Sequence, residues 1–169
     1  ILKAFFKEGK TKLKLSFIDE TKPLGTAGGL SFLVGKIKRP FFVTNCDTIA
    51  KINFDDLMHF HIKNGNHLTL VASSKEHIIP YGTCKLTKKG HLKKIIEKPK
   101  FDFFANIGVY VINPNLIKLI PKGKACDMTD FINIIKKQKK QVGVYPIDDE
   151  SWIDVGQWSE YHKAIDRLI

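Results

Sequence analysis

The sequence is short of everything that would mark a disulfide-held or membrane-spanning chain. Cysteine occurs three times, at Cys46, Cys84 and Cys126, far apart and without a C-x-x-C pair. That pattern argues against a disulfide framework or a zinc knuckle and leaves free thiols. No stretch approaches the roughly 18 to 20 uninterrupted apolar residues that a spanning helix needs, and the opening Ile1-Leu2-Lys3-Ala4-Phe5-Phe6-Lys7 has no signal-peptide layout. The expectation is a cytoplasmic protein with no membrane partner. Arginine is also scarce: Arg39 and Arg167 are the only two, against a formal net charge of +11. Bidentate reading of guanine or phosphate favours arginine over lysine. The excess charge therefore reads as a solvated lysine surface that attracts small anions, with no nucleic acid implied. The one tight cluster, Lys136-Lys137-Gln138-Lys139-Lys140, sits where a helix should end, and cations there complement the helix dipole.

What is present suits a single domain. The chain has 169 residues, of which 43% are hydrophobic, enough for one sizeable core. No internal repeat, low-complexity tract or linker marks a boundary within residues 1–169. Ile1 to Lys10 reads as the tail of a helix stopped by Gly9, and Leu13 to Ile18 alternates as a half-buried strand does. Thr26 to Val34 reads as helical and closes at Gly35; Phe41 to Thr44 follows as a strand. Asn53 caps a helix over Phe54 to Lys63, and His67 to Ala72 is a further strand. Strands alternating with short helices predict a Rossmann-like α/β fold, a mixed but mainly parallel sheet flanked by helices. Gly82 to Leu86 and His91 to Ile96 form an antiparallel hairpin around Lys88-Lys89-Gly90. Beyond it come a strand from Phe104 to Ile112, a helix from Asn115 to Leu119, a helix from Met128 to Lys137 capped by Asp127, a strand from Val142 to Ile147, and a last helix from Gln157 to Leu168.

Several stretches could carry chemistry. In an open sheet, ligands bind beyond the carboxyl ends of the strands, which is where Asn45 and Asp47 fall after Phe41 to Thr44. A carboxylate there can hold Mg²⁺, which takes one or two protein carboxylates and completes its shell with water and phosphate. A strand-end aspartate that caps the next turn explains Asp47 equally from position alone. Trp152-Ile153-Asp154-Val155-Gly156 offers a second carboxylate, and Asp154 could also cap the helix after it. Leu24-Gly25-Thr26-Ala27-Gly28-Gly29 matches neither a Walker loop nor a dinucleotide fingerprint, yet it could let a flat base approach the backbone; a plain tight turn is the alternative. Glu97-Lys98-Pro99 ends an apolar strand with an acceptor for sugar hydroxyls and a cation for phosphate. Asn106-Ile107-Gly108 places an amide and a bare backbone within a strand, either for close ligand approach or as a β-bulge. His59 and His61 lie two apart on a helix and face apart, which argues against a metal pair.

In this order the segments Pro23-Leu24-Gly25-Thr26-Ala27-Gly28, Val43-Thr44-Asn45-Cys46-Asp47, Tyr81-Gly82, Ile96-Glu97-Lys98-Pro99, Asn106-Ile107-Gly108-Val109-Tyr110 and Trp152-Ile153-Asp154-Val155-Gly156 resemble the sugar-nucleotide pyrophosphorylases, most of all the mannose-1-phosphate guanylyltransferases. Each segment is weak alone, and the ordered set is specific. The resemblance implies a nucleotidyltransferase that joins a nucleoside triphosphate to a sugar 1-phosphate for polysaccharide or lipopolysaccharide assembly, with Mg²⁺ as cofactor, in a protein that could be a homo-oligomer. It implies that Asp47 and Asp154 hold the metal, that Lys98 grips the sugar phosphate, that Gly25 and Thr26 lie against the base, and that Asn45, Tyr81, Gly82, Glu97, Asn106 and Gly108 line the substrate pocket around an antiparallel sugar-binding subregion. Such enzymes look to begin with a strand, a loop of approximate form G-x-G-T-R, and a Pro-Lys-Pro stretch. Neither the loop nor the Pro-Lys-Pro stretch is found in the 169 residues. The expectation is an N-terminally truncated domain, inactive alone, with a degenerate relative of the family as the alternative. A second departure is Cys46, where the family often has glycine. Two other classes remain open from sequence: a non-catalytic sugar-phosphate-binding subunit of the same fold, and a basic nucleic-acid binder.

Overall fold

The computed structural model describes residues 2–8 and 14–156. In chain order, α1 is Leu2–Glu8, α2 is the single turn Gly25–Gly28, β1 is Phe41–Thr44, β2 is Thr48–Ala50 and α3 is Phe54–Lys63. They are followed by β3 Leu68–Ile78, β4 Thr83–Leu86, β5 Leu92–Ile96, β6 Lys100–Ile112, α4 Met128–Lys137, β7 Val142–Ile147 and β8 Trp152–Asp154. Short 3₁₀ turns occupy Gly29–Leu33, Pro114–Leu119 and Asp149–Ser151.

The main sheet has the order β1-β6-β3-β7. Strands β1, β3 and β7 run one way, and β6 lies antiparallel between β1 and β3. The expected mixed sheet with a majority direction is present. The direction of β6 follows from its connection: the chain leaves β3, makes the β4–β5 hairpin and returns without a helical crossover, which gives an antiparallel pairing.

Period-two alternation puts the two sides of this sheet into separate cores. Leu68, Tyr110 and Ile112, with Phe41 and Val43, pack against Ala27, Leu116, Ile117, Phe131 and Ile135 from α2, the 114–119 turn and α4. On the other side Val71, Val109 and Val111 pack against Leu57 of α3, with Ile52 and Trp152 at the margin. The molecule is thus layered helix, sheet, helix. Phe131 and Leu57 are fully buried, and each such side chain contributes about 1.5–3 kcal/mol relative to exposure.

Both longer helices start where the sequence says they should. Asn53 Oδ1 accepts from the backbone N–H groups of Asp55 and Asp56 at 3.0 and 3.3 Å, and the chain leaves α3 through Gly65 at φ 60°. The N–H of Asp127 donates to Asp130 Oδ2 at 3.4 Å at the start of α4.

Three expectations are corrected. Residues 14–18 form no strand: Leu15, Phe17 and Ile18 stand exposed, and no strand lies alongside them among the described residues, so alternation has no ladder to join. Thr26 to Val34 is one helical turn followed by a 3₁₀ segment, because Gly28 and Gly29 are poor helix formers. Pro114–Leu119 is 3₁₀, not α. The stop at Gly9 and the helix over Gln157 to Leu168 lie outside the described residues.

Candidate active site

The end of β1, a bulge in β6 and the β2–β8 pair meet at one edge of the main sheet. Opposite β3, the register passes from Leu70↔Tyr110 to Ala72↔Asn106, so β6 carries extra residues at 107–109. Gly108 takes φ 79° there, and its N–H donates to Asn106 Oδ1 at 3.2 Å. Asn106 Nδ2 in turn donates to the Tyr110 hydroxyl at 2.7 Å. Burial pushes the Tyr110 hydroxyl above its ordinary pKa, more than the Asn106 bond pulls it down, so it stays protonated. The bulge reading holds, and the group that lies against Gly108 is the Asn45 side chain. A Cβ on Gly108 would sit 2.5 Å from Asn45 Nδ2, and the Asn45 N–H donates to the Gly108 carbonyl at 3.0 Å.

The second wall is laced to the first. Strand β8 pairs antiparallel with β2, so that Asp154 lies opposite Thr48. The Val155 N–H donates to the Asp47 carbonyl at 2.9 Å, and the Lys51 N–H donates to the Ser151 carbonyl at 2.8 Å. Thr48 Oγ1 donates to the Ile107 carbonyl at 3.0 Å, which fastens β2 to the bulge. These bonds turn Asp47 and Asp154 toward each other. A Cβ built on Gly156 would lie 3.0 Å from Asp47 Oδ2 and 3.1 Å from Asp154 Oδ1, so both carboxylates reach the same small space. The Gly156 N–H donates to Asp154 Oδ1 at 3.0 Å and fixes that carboxylate.

The cleft so formed has a volume of about 170 Å³ and is bordered by Asn45, Asp47, Thr48 and Asp154, with Asn106, Ile107, Gly108, Tyr110 and Trp152 completing the lining. That is room for several waters and therefore for a hydrated ion. Thr48, Tyr110 and Trp152 were not singled out as site residues from the sequence. Tyr110 was readable from its spacing to Asn106, and Thr48 from its place after Asp47. Trp152 is held from behind: Lys75 Nζ lies 5.1 Å from its ring centroid and pairs with Asp149, whose Oδ1 accepts from Ser73 Oγ at 3.5 Å.

The donor set suits a hard divalent cation. Two carboxylate oxygens converge beside a neutral amide and a hydroxyl, and Mg²⁺ wants one or two carboxylates with waters on its other positions. Asp47 and Asp154 are the residues that would hold it.

Other sequence-derived site residues lie elsewhere. Tyr81, Gly82, Glu97 and Lys98 gather at the base of the β4–β5 hairpin. A Cβ on Gly82 would meet Glu97 Oε2 at 2.9 Å, and Tyr81 is 74% exposed. Lys98 is exposed and held at φ 43°, a left-handed conformation that costs about 1 kcal/mol in a residue other than glycine. None of the four borders the cleft. Between Pro99 and Asn106 the extended chain of β6 runs roughly 20 Å at about 3.3 Å per residue. Gly25 and Thr26 are exposed and tied to the start of α4. The Thr26 N–H donates to Asp127 Oδ1 at 3.0 Å, and Thr26 Oγ1 accepts from the Met128 N–H at 2.8 Å. Gly25 takes φ 76°, and a Cβ there would meet Asp127 Oδ1 at 2.7 Å. The tight-turn reading of this segment is therefore present, and it leaves the segment's outer face in solvent.

The same architecture recurs in solved structures. HddC from Yersinia pseudotuberculosis superposes with a TM-score of 0.72 over 99% of this chain and 73% of that one, at 21% identity, and was also solved complexed with GMP-PN. The family model described as Nucleotidyl transferase matches residues 1–169. The chain belongs to the nucleotidyl transferase family. Among curated relatives, the mannose-1-phosphate guanylyltransferase catalytic subunit beta of Drosophila melanogaster is 32% identical over 160 residues, covering 90% of this chain and 42% of its own length. The mannose-1-phosphate guanyltransferase of Yarrowia lipolytica is 34% identical over 164 residues, with 91% and 44% covered. The chain thus spans less than half the length of these relatives.

Proposed function

We propose that the protein contributes the metal- and sugar-binding part of a sugar-1-phosphate nucleotidyltransferase, which forms a nucleoside-diphosphate sugar and pyrophosphate for polysaccharide or lipopolysaccharide assembly in the cytoplasm. The observation that carries the reading is the convergence of Asp47 Oδ2 and Asp154 Oδ1 within 3.1 Å of one point at Gly156. The relatives' names favour a guanine nucleotide and mannose 1-phosphate as the first pair to test.

An oxygen of the sugar 1-phosphate attacks the α-phosphorus of the triphosphate in line, a new P–O bond forms, the bond to the β-phosphate oxygen breaks, and pyrophosphate leaves. Asp47 and Asp154 would hold Mg²⁺, which when bound would supply charge neutralisation for the phosphates. The chain's own residues position the reactants, which is the larger part of such catalysis. Asp47 and Asp154 would set the ion's place, Asn45 and Asn106 offer amides at the cleft edge, and Gly108 leaves room for the Asn45 side chain beside them. Glu97 accepts from sugar hydroxyls and Lys98 pairs with the sugar phosphate. That role asks the hairpin base to approach the cleft when substrate binds. Gly25 and Thr26 present a backbone edge to the base.

Pyrophosphate release from guanosine triphosphate and mannose 1-phosphate, run on the natural full-length protein with and without Mg²⁺, tests this reading. Metal-dependent release is expected. Absence of release across a panel of triphosphates and sugar 1-phosphates, with a folded protein, overturns it.

A further inference from the structure

We propose that the tip of the β4–β5 hairpin docks on the surface of an anionic lipid bilayer. The hairpin is a two-stranded sheet of its own, separate from the main sheet. An isolated ribbon of this kind is marginal in water unless something packs on it. Its register makes the problem sharper. Lys85 lies directly opposite Lys94, and like charges across a ribbon repel. The register shift after Lys85 leaves Lys93 outside the pairing, and Lys88 and Lys89 form the turn. From Thr83 to Ile96 there are five lysines and no acid.

The other face of the same ribbon is aliphatic. Cys84 lies opposite Ile95 and Leu86 opposite Leu92, with Leu86, Leu92 and Ile95 at 63%, 59% and 61% exposure. The Leu86–Leu92 pair is the last one before the turn, so an approach tip-first brings two leucines to a surface with lysines on every side. A bilayer of anionic lipids fits both parts: the leucines enter the boundary of the acyl chains, and the lysine stems extend to the headgroup phosphates. The segment has no arginine and no phenylalanine, tyrosine or tryptophan, the groups that most often grip nucleic-acid phosphates and stack on bases.

Co-sedimentation with phosphatidylcholine vesicles containing about a quarter phosphatidylglycerol tests the proposal, with no turnover read. The wild-type protein should partition onto these vesicles and not onto phosphatidylcholine alone. K85Q/K94Q and L86S/L92S should each lower the partition about tenfold, while K136Q/K137Q, the same charge change at the end of α4, should lower it less than about twofold. Equal losses for K85Q/K94Q and K136Q/K137Q would reduce the effect to net charge and overturn the proposal. So would unchanged binding in L86S/L92S, or no binding of the wild type. A lower melting temperature or a changed oligomeric mass of L86S/L92S in lipid-free solution would show the leucines already covered by protein, which also overturns it.

Discussion

Asp47 and Asp154 come from strand ends far apart in the chain and share one small space, 3.0 and 3.1 Å from where a side chain at Gly156 would begin. Glycine at 156 keeps that space free. Gly156→Ala should place a methyl group against both carboxylates. It is expected to weaken divalent-ion binding about tenfold with little loss of stability, since the neighbouring contacts are flexible carboxylate ends. Manganese titration followed by calorimetry, paired with a urea melt, measures the two effects separately.

Gly108 has a stricter requirement. It combines φ 79° with a Cβ position 2.5 Å from the Asn45 amide, so Gly108→Ala meets backbone strain and a clash together. A destabilisation of about 2–3 kcal/mol is expected by urea denaturation. Cutting Asn45 back to glycine in the same chain should recover part of it, because the clash is lost and the strain remains.

Thr26 stitches α2 to α4, its hydroxyl accepting from the Met128 N–H at 2.8 Å. Thr26→Val keeps the shape and removes that acceptor from an otherwise unpaired N–H of the first helical turn. A cost of about 1–2 kcal/mol in urea denaturation is expected, with Thr26→Ser near wild type.

Acidification should weaken the fold through His61. Its Nδ1 contacts Thr69 Oγ1 at 2.8 Å and its Nε2 contacts Asn113 Oδ1 at 3.1 Å, beneath α3. Burial lowers its pKa from 6.5, the Asn113 bond opposes this, and nearby His67 lowers it further. The unfolded chain therefore takes up a proton that the folded chain resists. Stability is retained above pH 6.5 and falls as pH drops through that value. Urea midpoints for wild type and His61→Gln on both sides of this pH should show the steeper slope in wild type.

The local signals in the sequence were strong for the helices and for short buried strands. Asn53 with two acids behind it fixes α3, the Asp127 cap and the apolar stripe fix α4, and the runs at Phe41–Thr44 and Val142–Ile147 are strands as read. Strands β3 and β6 extend further than expected, to Ile78 and back to Lys100, because Ser73–Ile78 and Lys100–Ala105 pair with each other. Each half is too polar or too exposed to announce itself alone. The strand read over Leu13 to Ile18 had the right alternation and no partner. At the site, the sequence could offer Asp154 as a second carboxylate beside Asp47, but spacing could not show that the two converge; the ordered family resemblance gave both to one metal. The same resemblance put Lys98 and Glu97 with them, and in the structure those two stand at the hairpin base.

Divalent-ion binding by the two aspartates is the measurement on which the account turns. Manganese titration of the wild type, Asp47→Asn, Asp154→Asn and the double variant, each checked for native circular dichroism, reads it without any turnover. A loss of at least about tenfold in each single variant, with the double variant little worse than either, is the predicted result for one shared ion. Wild-type affinity in Asp154→Asn would show that the two carboxylates do not hold one ion, and the site as described would fall.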